Sequence, residues 1–446
     1  MASMQSLSAT AGDPDSTSAG ITGSVDQKSL RKIVLASVAG NALEWYDFFL
    51  YSTAAALVFG ELFFPKGTDP LIGTLGAFAG FAVGFAARPL GGIIFGHIGD
   101  RFGRKGALVW TLSIMGGATF LIGALPTYAQ VGVWAPVLLL VLRILQGIAA
   151  GGEWGGGVLM ISESAPPEKR GFYASMSQIG VGGGFVLSAA IFFIVQMLPK
   201  GAFMTWGWRI PFLLSILIFS VGVYIRSKLP ESTEFAHAQA AGKKAHMPLL
   251  DVIRKHPREI LLAMGLRVAE NGGSYIMLAF ALAYGKFIGV SSQVMLGGVI
   301  VSMSIELFAM LVWGRLSDRI GRKPVYLIGA LGLVAIAFPF FWLIDTKVPA
   351  LIWLAFLLGN AICHGAMVGT QPSLMGELFS TEVRYSGMAL GHEVASVFAG
   401  GLAPMLATAL LAHYHAAWPV AIMMMAMGLI TVITLAYTRE TAARRG

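Results

Sequence analysis

GHIGDRFGRK (residues 96–105) returns as GRLSDRIGRK (residues 314–323), identical at six of ten positions and offset by 218 residues. A second pair has nearly the same offset. ESAPPEKRG from Glu163 is echoed by ELFSTEVRYSG from Glu377, and the Glu163–Arg170 and Glu377–Arg384 spacings are both seven residues. One architectural unit has therefore been used twice in the same orientation. Two like-oriented units in one chain imply a pseudo-two-fold axis relating them, with a shared site between them.

Composition says what the unit is solvated by. Apolar residues make up 56% of the 446, charged residues 12%, and the mean hydropathy is +0.72. That balance suits a chain solvated mostly by lipid. A spanning helix needs roughly 20 mostly apolar residues. Twelve stretches qualify, at 33–59, 71–98, 106–127, 134–161, 172–197, 208–227, 259–287, 292–316, 325–344, 350–377, 384–412 and 416–437. The expected fold is an all-α membrane protein of twelve helices in two six-helix bundles. The expected divisions are a disordered tail at 1–32, bundles at 33–229 and 259–438, a linker loop at 230–258 and a short tail at 439–446. The first 27 residues are rich in Ser, Thr, Gly, Ala and Asp and lack the basic-then-apolar order of a signal peptide.

Of 31 Lys and Arg, 23 fall in the tails and the even-numbered loops, five on the opposite side and three inside spans. The positive-inside rule then puts both termini and the 230–258 loop in the cytoplasm, with the protein in a bacterial-type inner membrane. The net charge of +8 is spread over short loops, which argues topology and not nucleic acid. The single cysteine, Cys363, forms no intramolecular disulfide, and with His364 alone beside it there is no spaced ligand set for a metal.

Ionisable residues inside spans are costly, about 2.5–3.5 kcal/mol each on insertion scales, so each needs a partner or a cavity. Glu44 and Asp47 lie in span 1, Arg88 in span 2, Arg143 and Glu153 in span 4, Arg267 and Glu270 in span 7, Glu306 in span 8 and Glu393 in span 11; His364 and His392 add titratable groups. Tyr51 is one turn beyond Asp47 on the same face. Gly76, Gly80 and Gly84 precede Arg88 at four-residue spacing, a small-residue stripe that drifts only roughly 40° per step and aims Arg88 at packed protein. Arg143 and Gln146, and Arg267 and Glu270, are each three apart on one helical face. Arginine does not readily release a proton, so its work is to hold a carboxylate, whether of a solute or of the protein. An acid beside such an arginine is a proton carrier when the pairing changes; the bland alternative is a buried ion network that ties helices together.

The loop pattern G-x-x-x-D-R-x-G-R-K, the twelve spans and the central loop resemble the major facilitator superfamily. EWYDFFLY, RPLGGIIFGHIGDRFGRK, RILQGIAAGGEWGG, WGWRIPF and ELFSTEVRYSG together resemble its metabolite:proton symporter family, from about residue 33 to the end of the chain. That family includes carriers of α-ketoglutarate, citrate, shikimate and proline/betaine. Arg267-x-x-Glu270 with WAPVLLLVLR and RYSG is most similar to the shikimate branch. The resemblance implies proton-coupled uptake of a small carboxylate-bearing metabolite by a monomer in a lipid bilayer, with no cofactor and no enzymatic reaction. It assigns no role to Glu306 or His364.

On this reading the proton-coupling candidates are Asp47, Glu44, Glu153 and Glu270. The substrate-binding candidates are Arg88, Arg143, Arg267, Tyr51, Gln146, Gln178 and His392. The gating candidates are Asp100, Arg101, Arg104, Glu163 and Arg170 in the first half and Asp318, Arg319, Arg322, Glu377 and Arg384 in the second. Acid and base at the ends of spans 2 and 8 can form ties between helices that release on opening. Proline/betaine-type transport of a zwitterion is the nearest alternative. A drug:proton antiporter fits less well, since span 5 contains no proline and three buried arginines suit an anion. A membrane enzyme would need a nucleophile–base set, and neither G-x-S-x-G nor H-E-x-x-H occurs.

Overall fold

The computed structural model describes residues 38, 41–42, 45–102, 104–151, 167–228, 253–380 and 383–441. They form helices in the order expected. We number them α1 (45–62), α2 (Pro70–Phe102), α3 (Arg104–Ala124), α4 (Trp134–Ala150), α5 (Arg170–Val195), α6 (Ile210–Lys228), α7 (257–287), α8 (Ser292–Ile320), α9 (Arg322–Asp345), α10 (Pro349–Leu378), α11 (384–414) and α12 (Trp418–Tyr437). Short helices at Tyr128–Val131 and Lys200–Thr205 sit in connections. Among the described residues, seven helices are long and apolar enough to cross a membrane on length and composition, and α3, α4 and α6 contain shorter apolar helices.

Helices α1–α6 form one bundle and α7–α12 the other. Within the first, α2 packs on α4 and α3 on α6; within the second, α9 packs on α12 and α7 on both α11 and α12. The bundles meet along α5 with α8 and along α2 with α11. Close approach needs small residues. A Cβ on Gly80 would stand 2.6 Å from the Tyr51 hydroxyl, and one on Gly84 would stand 3.0 Å from Cγ and Cδ of Arg143. The glycine stripe thus leaves room for two polar side chains of neighbouring helices. Arg88, at the end of the stripe, is buried as its spacing predicts.

The outer surface carries large apolar side chains, among them Leu217, Phe308, Val312 and Phe398, as lipid solvation requires. Trp134, Trp206, Trp342 and Trp418 are exposed at helix ends on one side, the position of an interfacial aromatic belt. At the other side α8 stops at Gly321, whose φ of 108° is open to glycine and strained for other residues.

Among the described residues, four helices contain π-turns: Ala55–Phe59 in α1, Val268–Gly272 and Ile276–Phe280 in α7, Leu358–His364 in α10 and Ser396–Gly401 in α11. A π-turn inserts a residue into the helical ladder and is frequently found where side chains have work to do. Three of these turns hold or flank the buried ionisable residues described next.

Candidate functional site

Between the bundles lies a cavity of about 50 Å³. Trp45 and Phe49 of α1 and Gln178 of α5 line it from the first half. Arg267, Glu270 and Tyr275 of α7, Glu306 of α8, His364 of α10 and His392 of α11 line it from the second. A pocket for a metabolite-sized ligand is typically about 300–1,000 Å³. The cavity as it stands has room for water only, so it must widen to admit anything larger.

Arg267 is the best-anchored cation in its wall. Its Nη1 lies 2.8 Å from Glu270 Oε2 and donates to Gln371 Oε1 at 2.8 Å, while Nε donates to Ser396 Oγ at 3.0 Å. Gln371 donates in turn to Glu270 (3.0 Å) and to the Tyr326 hydroxyl (3.0 Å), which itself donates to the Leu266 carbonyl at 2.9 Å. The π-turn at Val268–Gly272 begins directly after Arg267 and contains Glu270. The arginine is held in place on one side and faces the cavity on the other.

The same cavity holds two groups for which the sequence offered no role. His364 Nδ1 contacts Glu306 Oε1, and His364 Nε2 lies 3.4 Å from Glu270 Oε1. Glu306 is fully buried, and its second oxygen, Oε2, has no hydrogen-bond partner. Arg267, Glu270, His364 and Glu306 therefore form one continuous chain of ionisable groups across α7, α10 and α8.

A second chain crosses from one bundle to the other. Arg88 of α2 lies 3.5 Å from Glu393 of α11, whose other oxygen lies 3.0 Å from His392 Nδ1. The Arg88 guanidinium also sits over the rings of Phe48 (4.7 Å), Phe85 (5.0 Å) and Trp45 (5.4 Å). Cation–π contact in such a desolvated place is worth about 2 kcal/mol.

Arg143 is handled differently. It is fully buried, with its guanidinium over Phe48 and Tyr51 at 4.4 Å and Phe81 at 4.7 Å. Nη1 donates to Gln146 Oε1 at 3.1 Å, and Nε and Nη2 have no partner. Gln146 Nε2 donates to Thr119 Oγ1 at 2.7 Å, and Thr119 stands beside Asp47. Asp47 is buried and its Oδ1 has no partner. An acid and a base of the first half are thus linked through Thr119 and Gln146 and not by direct contact.

Ties between the bundles occur at both ends. At the end bearing the repeated basic loops, the Asp318 carboxylate accepts hydrogen bonds from the amides of Gly171 (2.9 Å) and Phe172 (3.0 Å), in the first turn of α5. An anion is favoured there by the unpaired amides and the helix dipole. Arg322 holds that carboxylate at 2.6 Å, donates to Ser317 and reaches Glu377 at 3.5 Å. At the other end, Lys286 of α7 lies 2.5 Å from Glu61 of α1 and donates to the Leu57 carbonyl.

The residues singled out from the sequence separate into three groups. Arg267, Glu270, Gln178 and His392 line the central cavity. Arg88, Arg143, Gln146, Tyr51 and Asp47 are buried outside its lining. Asp318, Arg322 and Glu377 come together at one end, where Arg170 and Arg384 start α5 and α11 and Arg319 is exposed. Glu44, Glu153 and Glu163 lie outside the described residues, and Asp100, Arg101 and Arg104 fall where only the backbone of α2 and α3 is described. The cross-bundle partner of Asp318 is the start of a helix and not an arginine, which charge patterning alone could not indicate. Glu306 and His364 carried the signal of all intramembrane ionisable groups; what was missing was their mutual contact and their contact with Glu270.

A family model described as Major Facilitator Superfamily matches residues 38–404, and the chain belongs to that superfamily. It is a membrane transporter and not an enzyme. The shikimate transporter of Escherichia coli K12 is 41% identical over 94% of this chain and 97% of its own length. The proline/betaine transporter of the same strain is 36% identical over 94% of this chain and 85% of its own. Among solved structures, the xylose transporter XylE from E. coli, in a partially occluded inward-open conformation, superposes with a TM-score of 0.72 at 18% identity, covering 94% and 99% of the two chains. That likeness is one of fold.

Proposed function

We propose that this protein is a proton-coupled importer of a small carboxylate-bearing metabolite, with shikimate or α-ketoglutarate as the type, working by alternating access in a bacterial inner membrane. The observation that carries the reading is Arg267: a buried arginine in the wall of the inter-bundle cavity, paired with Glu270 at 2.8 Å. An arriving carboxylate presents the same two-oxygen geometry as Glu270 and competes with it for the guanidinium. The identity to a shikimate transporter over nearly the whole chain supports that class of solute. The Arg88–Glu393 pair, stretched to 3.5 Å between bundles, is a contact that rocking of one bundle on the other would make or break. Asp47 is the favoured proton carrier of the first half: it is buried in α1, its Oδ1 has no partner, and no arginine pairs with it directly among the described residues. The protein acts as a monomer, with both termini cytoplasmic.

A zwitterionic solute is the second reading, and one feature favours it. Glu306, one of whose oxygens is unpartnered, lines the same cavity as Arg267, and an acid opposite an arginine suits an ammonium opposite a carboxylate. Proteoliposomes with an imposed pH gradient separate the two. Accumulation of shikimate or α-ketoglutarate but not glycine betaine supports the first reading; the reverse pattern supports the second. No gradient-driven uptake of any of them overturns both. Labelling of Ser232→Cys by an impermeant reagent in intact cells would overturn the orientation.

A further inference from the structure

Carboxylates only accept hydrogen bonds, and a neutral imidazole has one N–H. His364 nevertheless faces a carboxylate oxygen with each ring nitrogen, Glu306 through Nδ1 and Glu270 through Nε2. The Nδ1 contact is a hydrogen bond and the Nε2 contact an ion-pair separation of 3.4 Å. A neutral ring can serve the first alone, and both are favourable together when the set carries one more proton, as an imidazolium or as a carboxylic acid. Counting charge gives the same answer. Arg267 contributes +1, Glu270 and Glu306 each −1 and neutral His364 nothing, leaving a buried net charge of −1 that one proton cancels. Uncompensated buried charge is strongly disfavoured.

Among the described residues, the groups facing this set change nothing in that count. On α7 there is Tyr275; on α9, Tyr326, reached through Gln371 of α10; on α5, the neutral amide Gln178. On α11, His392 contacts Glu393, and the Glu393 charge is matched by Arg88 of α2. Arg267 is the cation of the set, and it is the cation that a solute carboxylate would occupy.

We propose that Glu306 and His364 are a second protonation site of the transport cycle, whose proton must be in place before a carboxylate can bind at Arg267. The proposal rests on the symport reading above and adds to it a site in the second bundle. The proton arrives through the cavity that Glu306 lines, and Oε2 of Glu306, buried and without a partner, is the acceptor. It is held between Glu306 and His364 and cancels the excess charge. A solute carboxylate then approaches a neutral set, and Glu270, displaced from Arg267, keeps the contact with His364 that it already has. Without the proton, the solute meets two carboxylates against one guanidinium. The bound solute and the proton leave together when the cavity opens on the other side.

Glu306→Gln removes the charge together with the need for the proton, and mimics the loaded state. The experiment is equilibrium binding of shikimate to purified protein from pH 5 to 9. If one proton is required, affinity in the parent protein falls tenfold per pH unit on the alkaline limb. In Glu306→Gln the binding persists and that slope is lost, while gradient-driven accumulation in proteoliposomes falls and exchange continues. The double variant Glu306→Gln/His364→Gln, also neutral without a proton, gives the same flat profile and serves if the single variant misfolds. A Glu306→Gln slope equal to that of the parent overturns the proposal, as does loss of binding at every pH in a folded variant. A parent protein that binds shikimate with no pH dependence at all overturns it and the proton-coupling reading together. A parental slope that survives Glu306→Gln but vanishes in Asp47→Asn overturns only the second site.

Discussion

Asp318→Asn isolates the tie between the bundles. The carboxylate accepts from two backbone amides of α5 and pairs with Arg322, and its side chain is only 6% exposed. Gly171 and Arg322 share Oδ1 and Phe172 uses Oδ2. An asparagine oxygen at Oδ1 therefore leaves its NH₂ against the Phe172 amide, and one at Oδ2 leaves its NH₂ against both the Gly171 amide and the Arg322 guanidinium, donor against donor. The substitution thus removes one hydrogen bond to a charged group, worth about 1.5–3 kcal/mol, and weakens a buried ion pair. A net loss of about 2–3 kcal/mol corresponds to roughly 30–150-fold in favour of the conformation open at that end. Hydrogen–deuterium exchange of the segment that starts α5 reads the loss directly: the amides of Gly171 and Phe172 exchange faster by about that factor. Solute binding, at a cavity that Asp318 does not line, changes little, so the turnover of transport falls and the equilibrium affinity does not. Unaltered exchange at the start of α5, or a large loss of affinity with normal turnover, refutes the reasoning.

Asp47→Asn abolishes uphill uptake driven by a pH gradient in proteoliposomes while solute exchange without a gradient survives; full accumulation in the variant removes Asp47 from proton coupling. Glu61→Gln breaks the tie at the opposite end, but Lys286 and Glu61 are 34% and 41% exposed, so the pair is worth about 0–1 kcal/mol and uptake rates change by less than about fivefold; a loss as large as that of Asp318→Asn contradicts this. Gly84→Ala drives a methyl into Nε of Arg143 and to 3.0 Å from its Cδ and Cγ and costs about 1–3 kcal/mol by overpacking, read as a lower unfolding temperature, whereas Gly117→Ala, with nothing within 4 Å, leaves it unchanged.

Twelve helices, their division into six and six, and the presence of acids and arginines within them follow from the sequence alone. The reason is that these are local or repeated properties. Whether a stretch of about 20 residues can live in lipid depends on its own side chains, and the GHIGDRFGRK and GRLSDRIGRK loops reveal the duplication without any knowledge of packing. Arg267 and Glu270 could be paired in advance because a helix places residues three apart on one face.

Tertiary structure decided the other partners. Arg88 and Glu393 are 305 residues apart in the chain, and Glu306 and His364 are 58 apart on different helices. No periodicity within one helix encodes which neighbour it will face. The π-turns belong here too: Glu270 and His364 are aimed by insertions in α7 and α10 that the hydrophobic pattern tolerates but does not demand. The contrast is sharpest between the three arginines. In sequence they are equivalent, each a buried cation in an apolar span. Packing gives Arg88 a carboxylate across the bundle interface, Arg143 an aromatic cage, and Arg267 an acid at the edge of the cavity, because what a buried charge can do depends on what reaches it and not on the helix that carries it.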